Sequence, residues 1–386
     1  MKVRAAAILL LMACAVFAQD PRIVESGKLL VPLRQNPNQP LPVRGASPQF
    51  TTIKHALRDL IESRMAKLDS NGVHGLQDEV NAELIAAGLV CDYDKRPCPE
   101  LTQRGYLEPI KVRVEHGYII VQTGVGVDNC GFDESAYAYD LADNGWRRFW
   151  ETEQTNYTEE GFKPQTLVDV VVYRELFGPP DYLVLTTGLN PWCTSNWKEF
   201  YIRSWNVRGG AVPSLVLDVT DNGMRWSEPP IHGSVGTADG MNGPGDDILV
   251  EYTKPSFVGP VVGREAVRHY RLVDDRLRRI DPIALRPVDF VNAWWDLSPP
   301  ERANWTDPAT QGKLAAMKEG EGGIDNRPTR RCESKPEVWQ VHIAGQYFPV
   351  RWRPPFHFLM LDAGPKPFPG CTEFDPEADQ FRSLFR

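Results

Sequence analysis

The 386-residue chain contains no Cys-x-x-Cys, no His-x-His or His-x-x-x-His and no His-Glu-x-x-His, so the closely spaced ligand pairs of zinc sites are missing. It also lacks a Gly-x-Ser-x-Gly elbow and any glycine-rich phosphate loop, which removes the signatures of serine hydrolases and nucleotide-binding folds. Positive charge is in deficit. Lys and Arg number 43 against 51 Asp and Glu, a formal charge of −8, and no long basic run exists. Nucleic acid is therefore not an expected partner, because phosphate contacts need clustered Lys and Arg. Beyond the N-terminus no apolar run approaches the ~18 residues that span a bilayer, so no transmembrane helix is expected. What fills the chain is a loop-rich globular composition, with 33 prolines and 31 glycines among 42% hydrophobic residues.

The N-terminus carries the most explicit signal. Lys2 and Arg4 precede an apolar run from Ala5 through Phe17, and Val16 and Ala18 are small residues before Gln19. This pattern predicts a secretory signal peptide over 1–18, cleaved after Ala18, and a secreted or periplasmic mature chain of net charge −10. The alternative is a lipoprotein anchored at Cys14, since Leu11-Met12-Ala13 precedes that cysteine much as a lipobox would. Six cysteines remain in the mature chain: Cys91, Cys98, Cys130, Cys193, Cys332 and Cys371. In an oxidising compartment an even number predicts disulfides. Cys91 with Cys98 closes a local loop, Cys332 with Cys371 flanks the C-terminal segment, and Cys130 with Cys193 follows by elimination.

Hydrophobic period divides the rest. Residues 19–50, with Arg34-Gln-Asn-Pro-Asn-Gln-Pro40, read as a Pro/Asn-rich extended arm. Residues 51–90 read as a helical cap: Ile53, Leu57, Leu60, Ile61, Met65 and Leu68 form one helical stripe, Leu76, Val80, Leu84 and Ile85 a second, and Gly88 a stop. From 91 to 285 the period becomes two. Strands are predicted at 110–115, 118–123, 136–140, 146–151, 168–173, 182–187, 200–205, 214–219, 248–252, 267–273 and 277–282. The class is mainly β, an antiparallel meander arranged as a propeller-like body or a sandwich. Residues 286–386 read as an α+β appendage, with a capping box at Ser298-Pro-Pro-Glu301, a second helix after Asp307-Pro308, a flexible stretch from Gly320 to Pro328, and a hairpin around Ala344-Gly345.

Two segments share a strand, an Asp-Asn-Gly turn and an aromatic strand: Tyr137 to Trp150 around Asp143-Asn-Gly145, and Leu215 to Trp226 around Asp221-Asn-Gly223. Asp221-x-Gly-x-x-Trp226 resembles the Asp-box repeat of sialidase-type β-propellers, with Val219 where that motif has Ser; in the copy at Asp143 the aromatic residue falls one position late. The resemblance implies blade-like hairpins and carries no catalytic residue, because the Asp-box is a structural turn. Residues 239–250 are similar to the Asp- and Gly-rich loop-plus-strand of integrin-type propeller repeats.

Candidate chemistry is sparse. Ser195-Asn-Trp-Lys198 has the spacing of a serine–lysine nucleophile but none of its companion motifs. Asp218, Asp221, Glu228, Asp246, Asp247 and Glu251 are carboxylates from which a hydrolytic pair could be drawn. Asp239, Asn242, Asp246 and Asp247, spaced by Gly240, Gly243 and Gly245, suit calcium, which wants several hard oxygens on a flexible loop. Asp128 and Asn129 with Asp133 and Glu134 are a weaker copy. Trp192, Trp197, Trp294 and Trp295 are read near loops, where exposed rings would form sugar platforms. The expectation is a non-enzymatic binding or envelope-associated β protein with a glycan or envelope-protein partner; the alternative is a carbohydrate-active hydrolase using paired carboxylates. Calcium at the 239–247 loop should raise the unfolding temperature over that in EDTA, and the rise should vanish in Asp246→Ala/Asp247→Ala, as measured by thermal unfolding.

Overall fold

The computed structural model describes residues 19–35, 43–69, 72–90, 104–115, 117–128, 131–143, 145–154, 165–173, 181–190, 197–225, 234–237, 247–256, 259–273, 276–279, 284, 286–315, 317, 327–333, 335–354 and 357–378. The chain divides into two compact units, Met1–Leu167 and Val168–Arg386. The division falls inside the segment read as one β domain over 91–285, because the fifth strand begins a new sheet.

In the first unit, helix α1 spans Pro21–Gln35, α2 spans Val43–Met65, a 3-10 turn occupies Gly72–Gly75 and α3 spans Leu76–Ala86. Residues 21–35 are thus helix, which corrects the extended arm. Asp20 caps the helix by accepting the Arg22 N–H at 3.0 Å, Pro21 stands at the first helical position, and Ile23, Leu30 and Leu33 are buried along one stripe. The Pro- and Asn-rich composition that suggested an arm belongs to the residues just after this helix. Strands β1 (Leu107–Glu115), β2 (Tyr118–Asp128), β3 (Gly131–Ala142) and β4 (Gly145–Thr152) form an antiparallel sheet in that order. The helices pack on one of its faces: Phe50, Ile53, Leu57 and Ile61 of α2 and Val80 and Leu84 of α3 share a core with Ile110, Ile119, Val121, Tyr137 and Tyr139.

Edge strand β1 would offer unpaired backbone groups to other chains, and α3 covers them. Asn81 accepts the Ile110 N–H at 2.8 Å and donates to the Ile110 carbonyl at 3.0 Å, while Gln77 accepts the Val112 N–H at 2.8 Å. Gly105, at φ 75°, marks a close approach: a Cβ there would lie 2.7 Å from Arg34 Cγ, and Arg34 Nε donates to its carbonyl at 2.7 Å.

The second unit continues with simple meanders. Strands β5 (Thr166–Tyr173), β6 (Tyr182–Asn190), β7 (Trp197–Val207) and β8 (Ser214–Arg225) make one four-stranded sheet in chain order. A further sheet holds β9 (Ser234–Thr237), β10 (Asp247–Ser256), β11 (Gly259–Val273) and β12 (Arg276–Arg279). Leu183, Leu185, Phe200 and Ile202 share a core with Val250, Tyr270 and Leu277 from these strands. Helices α4 (Pro287–Asp296), α5 (Pro299–Asn304) and α6 (Gln311–Ala315) lead to a five-stranded sheet of β13 (Arg327–Cys332), β14 (Lys335–Ile343), β15 (Gln346–Arg353), β16 (His357–Met360) and β17 (Glu373–Phe374). The protein is therefore mainly β with several antiparallel sheets, none closed among the described residues.

The turn chemistry read from the sequence holds at two hairpins. Ala142 pairs with Gly145 across Asp143-Asn144, with Gly145 at φ 107°, and Ala344 and Gly345 sit at φ 51° and 72°, the mirror-image turn that matches strand twist. It fails at Asp221-Asn-Gly223. Those residues continue β8, where Phe200 pairs with Asp221 and Lys198 with Met224, and an irregularity in register there absorbs one extra residue. Both residues of the Ser298–Glu301 capping box are engaged, with Ser298 N–H donating to Glu301 at 2.9 Å.

Cys332 and Cys371 form a disulfide across 39 residues, both buried, and tie the 361–378 tail to β13. Cys91, Cys98, Cys130 and Cys193 lie outside the described residues. Closing a loop of 39 residues restricts the unfolded chain, so reducing this bond, or Cys332→Ser with Cys371→Ser, should cost on the order of 3–4 kcal/mol in denaturant unfolding of the second unit.

Candidate functional site

The chemistry of the first unit gathers where α2 crosses β3 and β4. Helical spacing puts His55, Arg58 and Glu62 on one face of α2. Alternation puts Tyr137 and Tyr139 on one face of β3. On β4, Trp146 and Arg148 would share a face while Glu151 pointed away, but the register shifts between Ala138 and Tyr139: Tyr139 faces Arg148 and Tyr137 faces Glu151. The bulge consumes Phe149 and turns Glu151 back toward the helix.

A ladder of charge results. His55 Nε2 lies 3.3 Å from Glu153, and Arg58 Nη1 lies 3.7 Å from both Glu151 and Glu153. Arg148 Nε reaches Glu151 at 3.3 Å, and its Nη1 donates to Glu62. Tyr137 donates to Glu153 at 3.2 Å and Tyr139 to Glu62 at 3.4 Å. Burial, and next the facing carboxylate, pushes each phenol well above its ordinary pKa, so both remain donors. Burial opposes the charge of Arg58, yet Asp59 and Glu153 raise its pKa.

At one end of this ladder opens a recess of about 250 Å³ lined by Glu62, Met65, Ala66, Tyr139, Trp146 and Arg148. Trp146 is held by its indole N–H, which donates to the Leu68 carbonyl at 3.2 Å. Glu62 and Arg148 are 38% and 29% exposed at their side chains, so a ligand can reach both. The recess thus combines an aromatic face with a preformed acceptor–donor pair. Among the described residues no group of three or more His, Cys, Asp or Glu could hold a metal ion.

No protein family matches this chain, and no curated protein matches it in sequence. One solved structure, of a BT0996 RGII complex, is similar at a TM-score of 0.25 and 9% identity over 67% of this protein and 70% of that one.

The residues singled out from the sequence are dispersed or fall elsewhere. Asp239, Asn242 and Asp246 lie outside the described residues, and Asp247 opens β10, paired in register with Arg271. Asp218 on β8 bonds Arg203 of β7 at 3.0 Å, Asp221 lies within β8, Glu251 lies in β10, and Glu228 is outside the described residues. Ser195 and Trp192 are likewise outside, while Trp197 and Lys198 belong to β7. Trp294 and Trp295 are not in loops. They sit in α4, 0% and 4% exposed, and their rings pack against the five-stranded sheet with Phe290 and Phe348. A helix of mean apolar character beside a sheet buries such rings, which removes them as a platform. Of the weaker calcium set, Asp133 and Glu134 are buried and bonded to Lys54, Gln165 and Leu167, and Asn129 lies outside the described residues.

Asp133 is half of a pair the sequence reading missed. Lys54 Nζ donates to Asp133 at 2.7 Å and to the Gln154 carbonyl at 2.9 Å, and both charged side chains are fully buried. The other Asp133 oxygen accepts the Gln165 N–H at 3.0 Å. A signal existed: Lys54 precedes Leu57 and Ile61 at core spacing, and Asp133 heads the alternating core face Ser135, Tyr137, Tyr139. Removing one member leaves the other charge buried without its counter-ion. Lys54→Met should cost roughly 3–5 kcal/mol in urea unfolding. Lys54→Met with Asp133→Asn should recover much of it, because Asn retains an acceptor for Gln165 and leaves no buried charge.

Proposed function

We propose that this protein is exported and acts as a binding protein, its antiparallel meanders serving as blade-like units, with the Glu62–Trp146–Arg148 recess taking one saccharide unit. The recess carries this reading. A sugar ring offers an apolar C–H face and a rim of hydroxyls, and the recess offers an indole face beside a carboxylate, a guanidinium and a phenol. The pair Arg148–Glu62 is already formed, so little side-chain freedom remains to be lost on binding. At about 250 Å³ the recess is below the range of roughly 300–1,000 Å³ usual for drug-sized ligands, which favours a single ring or a chain end. Export is supported by the signal-like N-terminus and by the disulfide, and no described helix is long and apolar enough to cross a membrane.

One observation favours hydrolysis as a second reading. Glu151 and Glu153 each place an oxygen 3.7 Å from Arg58 Nη1, so these oxygens are at most twice that, 7.4 Å, apart. Glycosidase carboxyl groups stand about 5–9.5 Å apart. Here, however, a guanidinium occupies the space between them, and Glu153 is only 6% exposed. Binding is therefore the reading that uses the exposed groups.

Calorimetric titration with a panel of neutral, amino and acidic mono- and oligosaccharides tests it. Binding to at least one class is expected, and Trp146→Ala should weaken it by about tenfold or more while the fold is retained. Absence of binding across the panel, or binding indifferent to Trp146→Ala and Arg148→Ala, would reject the recess as the site. Turnover of chromogenic glycosides abolished by Glu151→Gln would replace binding with hydrolysis.

A further inference from the structure

On the sheet face opposite to Asp133, three adjacent strands bring two acids together. Glu108 of β1 pairs in register with Gly124 of β2, and Gly124 with Glu134 of β3. Same-face residues on next-but-one strands are normally kept apart by the side chain between them. Here that side chain is missing. A Cβ on Gly124 would lie 2.8 Å from Glu108 Oε2, so the Glu108 carboxylate lies across the glycine toward Glu134.

Glu134 is 5% exposed, and its Oε2 accepts the Leu167 N–H at 2.5 Å. Its surroundings tie the same segment down again. Glu134 N–H donates to the Gln165 carbonyl at 2.6 Å, Gln165 Nε2 donates to the Glu134 carbonyl at 3.3 Å, and Thr166 Oγ1 donates to the Phe132 carbonyl at 3.2 Å. Residues 165–167 are the last of the first unit, from which the chain enters the second. Among the described residues the charged groups facing Glu134 are Glu108 and Lys111, both from β1, and Lys111 Nζ bonds Glu108 at 2.6 Å. Gly124 contributes none, the 165–167 segment offers backbone, and Asp133 faces Lys54 on the other side. Two carboxylates and one ammonium leave one negative charge in excess. One proton shared between the acids neutralises the group.

We propose that Glu108 and Glu134 share this proton across Gly124 and form a pH-sensitive clip that holds residues 165–167 against β3. Burial, and next the charge of Glu108, raise the Glu134 pKa well above the ordinary carboxylate range. The folded protein therefore binds more protons than the unfolded chain above about pH 4.5, and stability falls as pH rises through the folded value. Below that window the contribution is fully present. On losing the proton the two charges repel and a buried carboxylate is left, a cost that the Leu167 N–H offsets only in part and that opening of residues 165–167 toward solvent relieves. This device is independent of the recess and of any ligand there.

The test compares the full chain with Glu134→Gln, Glu108→Gln and Gly124→Ala. Urea unfolding and amide exchange at residues 165–167, corrected for intrinsic base catalysis, are followed from about pH 5 to about pH 8. In the wild type, stability should fall with pH and Leu167 protection should drop at least tenfold. Glu134→Gln, which can accept from Leu167 and donate to Glu108 at every pH, should remove that drop. Glu108→Gln should shrink it by removing the like charge, and Gly124→Ala should lower protection at acidic pH by displacing Glu108. Should Glu134→Gln fail to fold, Glu108→Gln decides alone. Wild-type protection that is flat with pH, or a profile unchanged in both glutamine variants, would overturn the proposal.

Discussion

The buried Lys54–Asp133 pair is the constraint around which the first unit is arranged. Two full charges removed from water carry a penalty of several kcal/mol each unless geometry and further hydrogen bonds offset it. The structure supplies both: the pair closes at 2.7 Å, Gln154 accepts a second Lys54 proton, and Gln165 donates to the remaining Asp133 oxygen. These partners come from α2, from the residues after β4 and from the run into β5. The pair therefore fixes where the helix lies on the sheet, and with it the placement of His55, Arg58 and Glu62 along the same helix. A hydrophobic pair could bury as much surface, but it would not set the rotation of α2 by a single bond direction. The charge ladder and the recess depend on that rotation.

Much of the architecture was legible because local pattern and packing agree. The strands expected from 110–115 through 267–273 all lie in strands, as do residues 277–279 of the last one, whose residues 280–282 are outside the described residues, and the stripes of α2 and α3 are largely buried as their spacing implies. The failures have physical causes. Residues 21–35 were hidden because the Pro- and Asn-rich run after them dominated the local composition, although Asp20-Pro21 is a cap followed by a first-turn proline. Asp221-Asn-Gly223 has the chemistry of a turn, yet the cross-strand partner β7 runs past it and offers a continuous ladder, so pairing overrode the local preference. Pro287–Asp296 was missed because Trp294 and Trp295 drew attention as surface aromatics, while their helical neighbours Phe290 and Val291 are what place them inside.

The candidate site was far less legible. None of Glu62, Tyr139, Trp146 or Arg148 stands in a motif, and they are up to 86 residues apart in the chain where Glu62 meets Arg148. Only the crossing of a helix over a bulged strand assembles them. The bulge at Phe149 is invisible in the hydrophobic pattern, since a strict alternation would assign Glu151 to the opposite face. Sequence reading looked for acids crowded in one loop, whereas this unit concentrates its acids through register.

Consecutive acids on β3 show what register can do. Asp133 and Glu134 necessarily point to opposite faces of the sheet, so each must solve burial separately. On the helix side a lysine from α2 supplies the compensating charge. On the other side Gly124 removes a side chain and lets Glu108 approach, so that a proton takes the part played by lysine. Both acids also accept a backbone N–H from the same segment, Gln165 for one and Leu167 for the other. The start of β5 is thus gripped from both faces of the sheet at once, by one charge that a fixed cation balances and another that depends on the solution. Of these two grips only the second follows the pH, because its balancing charge is a proton exchanged with the solution, whereas Lys54 is held in the core by Asp133 and Gln154.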